Sequence, residues 1–128
     1  MTQAERLLAK DALTAGLTSS ALEPADVVAG SPDVRMTELT VVHGVEIGIW
    51  EITPGTVTDI EVDEVFVVLS GRGDVRFRDG SVLPIATGSV VRLRAGDRTT
   101  WHIEETVRKI YVLPPVPHPQ PSTEDNQQ

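Results

Sequence analysis

The chain has 128 residues, 40% of them hydrophobic, and carries 19 Asp and Glu against 11 Lys and Arg for a formal net charge of −8. That length supports one domain with one core, and the acidic excess repels phosphate backbones and anionic bilayers, which argues against nucleic acid or membrane as a partner. The absence of Cys excludes a disulfide framework, a thiolate metal site and a Cys nucleophile, and no basic start or 18-residue apolar run marks a leader or a span, so the sequence reads as a soluble cytoplasmic protein.

Composition divides the chain into a lead-in (residues 1–35), a domain (36–113) and a tail (114–128). The lead-in opens with Thr2-Gln3-Ala4-Glu5, a capping-box pattern, followed by Leu7, Leu8 and Leu13 among charged residues. This predicts a short amphipathic helix that ends near Gly16 and lays its leucines on the domain. From Thr18 to Arg35, the breakers Pro24, Gly30 and Pro32 leave Val27-Val28-Ala29 as the one apolar run, which predicts an irregular segment with a single edge strand.

From Met36 the pattern changes to short β-rich runs: Leu39 to Val42, Val45 to Ile52, Glu64 to Leu69, Asp74 to Arg78, Val82 to Ile85, Val90 to Leu93, Thr99 to Ile103 and Arg108 to Leu113. Gly44, Pro54-Gly55, Gly71-Arg72-Gly73, Asp79-Gly80, Gly88 and Ala95-Gly96-Asp97 separate them. About eight closely spaced strands without an intervening helix predict an all-β, antiparallel jelly roll or sandwich. Asp79-Gly80 predicts a tight primed turn, in which both central residues take positive φ. In Val75-Arg76-Phe77-Arg78 and Val91-Arg92-Leu93-Arg94 the arginines share one face, so these strands have one wet and one dry side. Every residue after Glu64 in Glu64-Val65-Phe66-Val67-Val68-Leu69 is apolar, which predicts cover on both faces, by the barrel on one side and by the helix or a second subunit on the other. A homodimer paired through this sheet is the expected assembly.

The tail holds five of the nine prolines and then Ser-Thr-Glu-Asp-Asn-Gln-Gln, so it is expected to be extended, disordered and acidic, with His118 in solvent.

Gly55, Glu64, Gly71, Gly88 and Gly96 stand at spacings that resemble the two cupin motifs. The words Gly48-Ile49-Trp50-Glu51, Thr53-Pro54-Gly55, Leu69-Ser70-Gly71 and Val107-Arg108-Lys109-Ile110-Tyr111 resemble more narrowly the (S)-ureidoglycine aminohydrolase-like cupins. The resemblance runs from about Val45 to Val112. It implies a double-stranded β-helix, a small jelly-roll barrel with the site in its mouth and a divalent metal on His, His, Glu and His. This sequence departs from that ligand set. Counting back from Glu64, the first two His positions fall at Val57 and Asp59 or at Thr58 and Ile60, and the last falls at Thr99. Imidazole ligation at about 2.0–2.1 Å has no donors there. Glu64 with Asp59 would make at most a weak, hard-oxygen site for a divalent ion, so no cofactor is expected. His43, at a turn, and His102, whose neighbour Trp101 takes the inward face, are poorly placed to help.

With Glu64 inward, as the resemblance implies, alternation places Phe66 and Val68 in the barrel, and Thr99 inward adds Trp101 and Ile103. The resemblance also favours Lys109 and Tyr111 as the inward side of the last strand. The candidate site is therefore Glu64, Lys109 and Tyr111 as catalytic groups, with Trp50, Phe66, Thr99 and Trp101 as ligand-binding groups and no metal ligands. A carboxylate and an ammonium in an apolar barrel must pair with each other or shift their ionisation. Lys109 would clamp a carboxylate, Tyr111 donate a hydrogen bond, and Glu64 bind an amine or ureido N–H or act as a base; alternatively Glu64 and Lys109 form a satisfied internal ion pair. The expected function is to bind a small polar metabolite in the barrel, with turnover left open. The alternatives are a metal-dependent enzyme of the ureidoglycine aminohydrolase type and a non-catalytic accessory or dimerisation protein.

Overall fold

The computed structural model describes residues 1–116; residues 117–128 of the tail, His118 among them, lie outside the described residues. Nine strands form one curled antiparallel system: β1 (Thr18–Ser20), β2 (Val27–Gly30), β3 (Val34–Val42), β4 (Val45–Ile52), β5 (Gly55–Ile60), β6 (Glu64–Phe77), β7 (Val82–Ala86), β8 (Val90–Leu93) and β9 (Arg98–Leu113). One path through the sheet runs β1-β3-β4-β9-β5-β2, while β6 pairs with β7, β8 and β9. The all-β jelly-roll expectation holds. Among the described residues no helix is long and apolar enough to cross a membrane.

Two long strands organise the barrel. β9 pairs through Val107–Leu113 with β4 and through Arg98–Ile103 with β5, and β6 runs antiparallel to it along both halves. Alternation then stacks inward rows: Trp50, Lys109 and Val68 in one, Gly48, Tyr111 and Phe66 in the next, and Val57, Trp101 and Val75 in a third. Phe66, Val68, Val75, Leu93, Trp101, Ile103 and Val107 are buried in the resulting core.

Several expectations are corrected. The helix α1 covers only Gln3–Arg6, capped by Thr2 through the expected capping box, and it buries nothing. A helix reaching Gly16 would need the Ala12 and Ala15 carbonyls for its own ladder or for solvent, but both accept hydrogen bonds at 3.0 Å from the Arg108 guanidinium on β9. The Asp11 carboxylate also accepts from the Leu13 N–H at 2.9 Å, a local turn that competes with helix. The side facing the barrel is Ala9, Ala12, Ala15 and Leu17, whereas Leu7, Leu8 and Leu13 remain exposed. The lead-in contributes two strands rather than one, since β1 pairs with β3 and β2 with β5.

β5 falls outside the runs expected from sequence, because Thr56, Thr58 and Asp59 dilute its apolar content. Gly71-Arg72-Gly73 is a bulged bend inside β6 and not a turn between two strands. A Cβ on Gly71, at φ +90°, would strike the Thr106 carbonyl, and one on Gly73 would strike the His102 carbonyl, so glycine lets β6 and β9 pass at the bend. At Asp79-Gly80 only Gly80 has positive φ. The loop holds three residues, with Gly80 N–H bonded to the Phe77 carbonyl at 2.9 Å and Phe77 N–H to the Ser81 carbonyl at 2.9 Å, the pattern of a type I turn closed by a glycine bulge. The primed turn occurs instead at His43-Gly44, φ 50° and 79°, between the paired Val42 and Val45. Among the described residues the second face of β6 stays partly open, with Val65 and Val67 39% and 37% exposed.

Candidate functional site

A cavity of about 310 Å³ opens in the barrel mouth. β4 supplies Trp50, β9 supplies Trp101, Lys109 and Tyr111, β6 begins with Glu64, and the lead-in closes one side with Leu22 and Asp26. Cross-strand pairing sets this convergence: Trp50 stands opposite Lys109, and Gly48 opposite Tyr111. A Cβ on Gly48 would collide with the Tyr111 hydroxyl, so the absence of a side chain there gives the tyrosine ring its place.

At the centre Lys109 Nζ donates to Glu64 Oε2 at 2.7 Å, with Lys109 5% and Glu64 8% exposed. The ammonium also lies 4.3 Å from the Phe66 ring centroid, 4.4 Å from that of Trp50 and 4.9 Å from that of Trp101. Of the two arrangements open to these groups, the structure has the internal ion pair, framed by cation–π contacts. Trp50 and Trp101 pack against each other at 5.8 Å between centroids, and Phe66 meets Trp101 at 5.6 Å.

The remaining expected residues divide between wall and support. Trp50 and Trp101 line the cavity, whereas Phe66 lies behind Lys109 and Thr99 behind Glu61, and neither lines it. The Tyr111 ring lines the cavity, but its hydroxyl donates to Glu46 Oε2 at 2.6 Å. Burial first, and then the Glu46 carboxylate, raise the Tyr111 phenol above its ordinary range, so it stays a protonated donor at neutral pH.

Sequence reasoning missed Glu61. This residue, 6% exposed, follows β5 and lines the cavity; its Oε2 accepts from Thr99 Oγ1 at 2.6 Å and from Trp101 Nε1 at 2.9 Å. Its backbone is pinned to the turn before β9, with Glu61 N–H to the Asp97 carbonyl at 2.8 Å and Gly96 N–H to the Glu61 carbonyl at 2.9 Å. The available signal was the period-two series Val57, Asp59, Glu61, which becomes visible once β5 is read as a strand. Asp59 stands at the exposed rim of the same series. Partial burial of its carboxyl, and then the nearby Glu61 carboxylate, push Asp59 up to about 6, while the Ile60 N–H and the Lys109 ammonium oppose the rise.

Pairing also resolves the register of the cupin-like positions. Val57 pairs with Trp101 and Asp59 with Thr99, so these two share the inward face and occupy the places where the resemblance would put imidazoles. His102 faces the other way and meets Thr56 Oγ1 through Nδ1 at 2.9 Å, and His43 is exposed at its turn. The donors present, Asp59, Glu61, Glu64 and Thr99, are all oxygens and do not match an imidazole-held ion. Among the described residues no three His, Asp or Glu stand together as a metal cluster.

Comparison with known proteins agrees with this barrel. Residues 42–111 match the family model described as the EutQ-like cupin domain. No curated protein matches the chain. Among solved structures the chain is similar to a Pseudomonas syringae protein of unknown function, at 28% identity and a TM-score of 0.71, over 80% of this chain and 45% of that one. It thus spans less than half the length of that relative. EutQ from Clostridium difficile aligns at 20% identity and TM-score 0.59, over 75% of this chain and 81% of that one. Ectoine synthase from P. lautus aligns at 19% and 0.59, over 80% and 75%. These last two likenesses speak to the fold alone.

Proposed function

Because the chain belongs to the EutQ-like cupin domain family, we propose that it works as a cupin does, through its barrel mouth, and that it binds a small polar molecule there without a tightly held metal. The observation that carries the reading is the composition of the cavity. Aromatic walls from Trp50 and Trp101 enclose ionisable groups that an ordinary core would exclude, namely Glu61, Glu64 and Lys109. A fold hosts many chemistries, and these side chains, not the barrel, set what the cavity can bind.

In this reading Glu64 and Lys109 form a neutral floor that holds its shape under the ligand, and Trp50 and Trp101 supply contact area. Binding is assigned and turnover is not, because the nearest base and acid already satisfy one another at 2.7 Å. The metal-dependent ureide chemistry that the narrower resemblance implies has little support, since Val57, Asp59 and Thr99 stand where imidazoles would be needed.

The test is a thermal-shift and tryptophan-fluorescence screen of small amines, carboxylates and ureides on chelator-treated protein, with elemental analysis of the same sample. Saturable changes in the emission of Trp50 and Trp101, with a matching rise in Tm, are expected in the metal-free protein. Binding that appears only after Mn, Fe, Ni or Zn is restored would overturn the metal-independent reading.

A further inference from the structure

From the balance of charge and the unpaired lone pairs around the cavity, we infer that its ligand is a small organic cation, an amine or guanidinium, held by Glu61 and Asp59 against the face of Trp50. This rests on the reading that the cavity is a ligand site, and it goes further by naming the ligand's charge.

Four carboxylates line the cavity, those of Asp26, Asp59, Glu61 and Glu64, against the single ammonium of Lys109. The Lys109 charge is already compensated by Glu64, to which its Nζ donates at 2.7 Å, and three rings frame it. The surplus is therefore negative. An anion would meet Asp59 and Glu61 on entry, whereas a cation would be drawn inward.

A second observation points the same way. Glu61 is more than nine-tenths buried and lines the cavity, and its two hydrogen bonds both end on Oε2. No group among the described residues donates to its Oε1. Glu64 repeats the pattern, with its one ion-pair contact on Oε2. A buried carboxylate oxygen without a donor carries a desolvation cost, which an N–H bearing cation would offset. The half-buried Trp50 adds an apolar wall for the carbon skeleton of such an ion. The volume, near the lower end for ligand pockets, fits a molecule of a few heavy atoms.

Occupancy should follow pH. Partial burial first, and then the facing Glu61 and Asp26 carboxylates, favour protonated Asp59, and the Ile60 N–H and Lys109 oppose them. It ionises around pH 6, so a cation gains one more attractive charge as pH rises from 5 to 7.

The experiment is a fluorescence and calorimetric titration of the full chain with butylammonium and guanidinium, and with butyramide and butyrate as neutral and anionic counterparts. Saturable binding of the two cations is expected, with butyramide at least tenfold weaker and butyrate silent. Cation affinity should rise several-fold between pH 5 and pH 7, and Asp59→Asn, at the exposed rim where folding is not at stake, should flatten that rise. Glu61→Gln, which keeps the shape and removes the charge, should weaken the cations at least tenfold, with circular dichroism checking the fold. If butyrate binds as well as the cations and Lys109→Met abolishes it, the charge assignment is wrong and the ligand site stands. If no probe binds at any pH, the inference and the ligand-site reading fall together.

Discussion

The pair formed by Glu64 and Lys109 decides what the inside of this barrel tolerates. Both side chains are buried, and each is acceptable there only because the other lies 2.7 Å away with aromatic rings around the ammonium. Removing one partner leaves an uncompensated charge, so Lys109→Met or Glu64→Gln should each lower stability by about 3 kcal/mol in urea unfolding. The double substitution should cost clearly less than the two singles added together. Additive losses would mean that the two groups do not depend on each other. This pairing was legible in the sequence as one of two alternatives, because the cupin resemblance turns both Glu64 and the Lys109 side of the last strand inward. Glu61 was not legible, because the β5 strand that carries its series reads as a polar loop, and its partners Thr99 and Trp101 lie about forty residues further on. Tyr111 was placed on the correct face, yet its partner Glu46 could be found only through the pairing of β4 with β9.

Among the elements, the lead-in shows how a local signal can be right and still mislead about extent. The capping box at Thr2 and Glu5 forms as expected, but tertiary bonds claim the chain within a few residues. Arg108 is the clasp. Its Nε meets Glu51 Oε1 at 3.0 Å on the outer face of β4, and its Nη1 reaches the Ala12 and Ala15 carbonyls. On that same face Ile49 is fully buried although it lies outside the barrel core, which fits a segment lying across it. Arg108→Gln should therefore free residues 7–16 while leaving the barrel closed. Hydrogen exchange should show the amides of that segment accelerated far more than those of β6 and β9, whose protection should fall only by the overall loss of about 1–2 kcal/mol. An unchanged segment would show that apolar contact alone holds it. The bends at Gly71 and Gly73 were equally hidden from sequence reading. A Gly-x-Gly between two apolar runs looks like a turn, and only the approach of the β9 backbone reveals that the strand continues through it.

For the molecule as a whole, the division at residue 35 drawn from composition does not coincide with any seam in the contacts. β1 and β2 are edge strands of the same system, Val34 is a core residue, and Leu22 and Asp26 form part of the cavity wall. The composition differs there because short edge strands need less apolar content than central ones, and not because the segment is dispensable. Beyond it, the branches of the sheet meet in β6 and β9: β9 ties β4 and β5 to β6, and β6 alone carries β7 and β8. Apart from the edge strands β1, β2 and β3, no strand group can open without breaking a ladder to β6 or β9, so unfolding of the barrel should be all-or-none. Tryptophan emission, which reports Trp50 and Trp101 in the mouth, and far-UV circular dichroism, which reports the whole sheet, should give coincident urea transitions. A chain starting at residue 17 loses only α1 and the strap over the outer face, and should keep that single transition at a lower midpoint. A chain starting at residue 36 loses β1, β2, Val34 and one wall of the cavity, and should show no cooperative transition. A sharp, native-like transition in the shorter chain would mean that residues 36–113 close a barrel alone and that the lead-in is an addition to it.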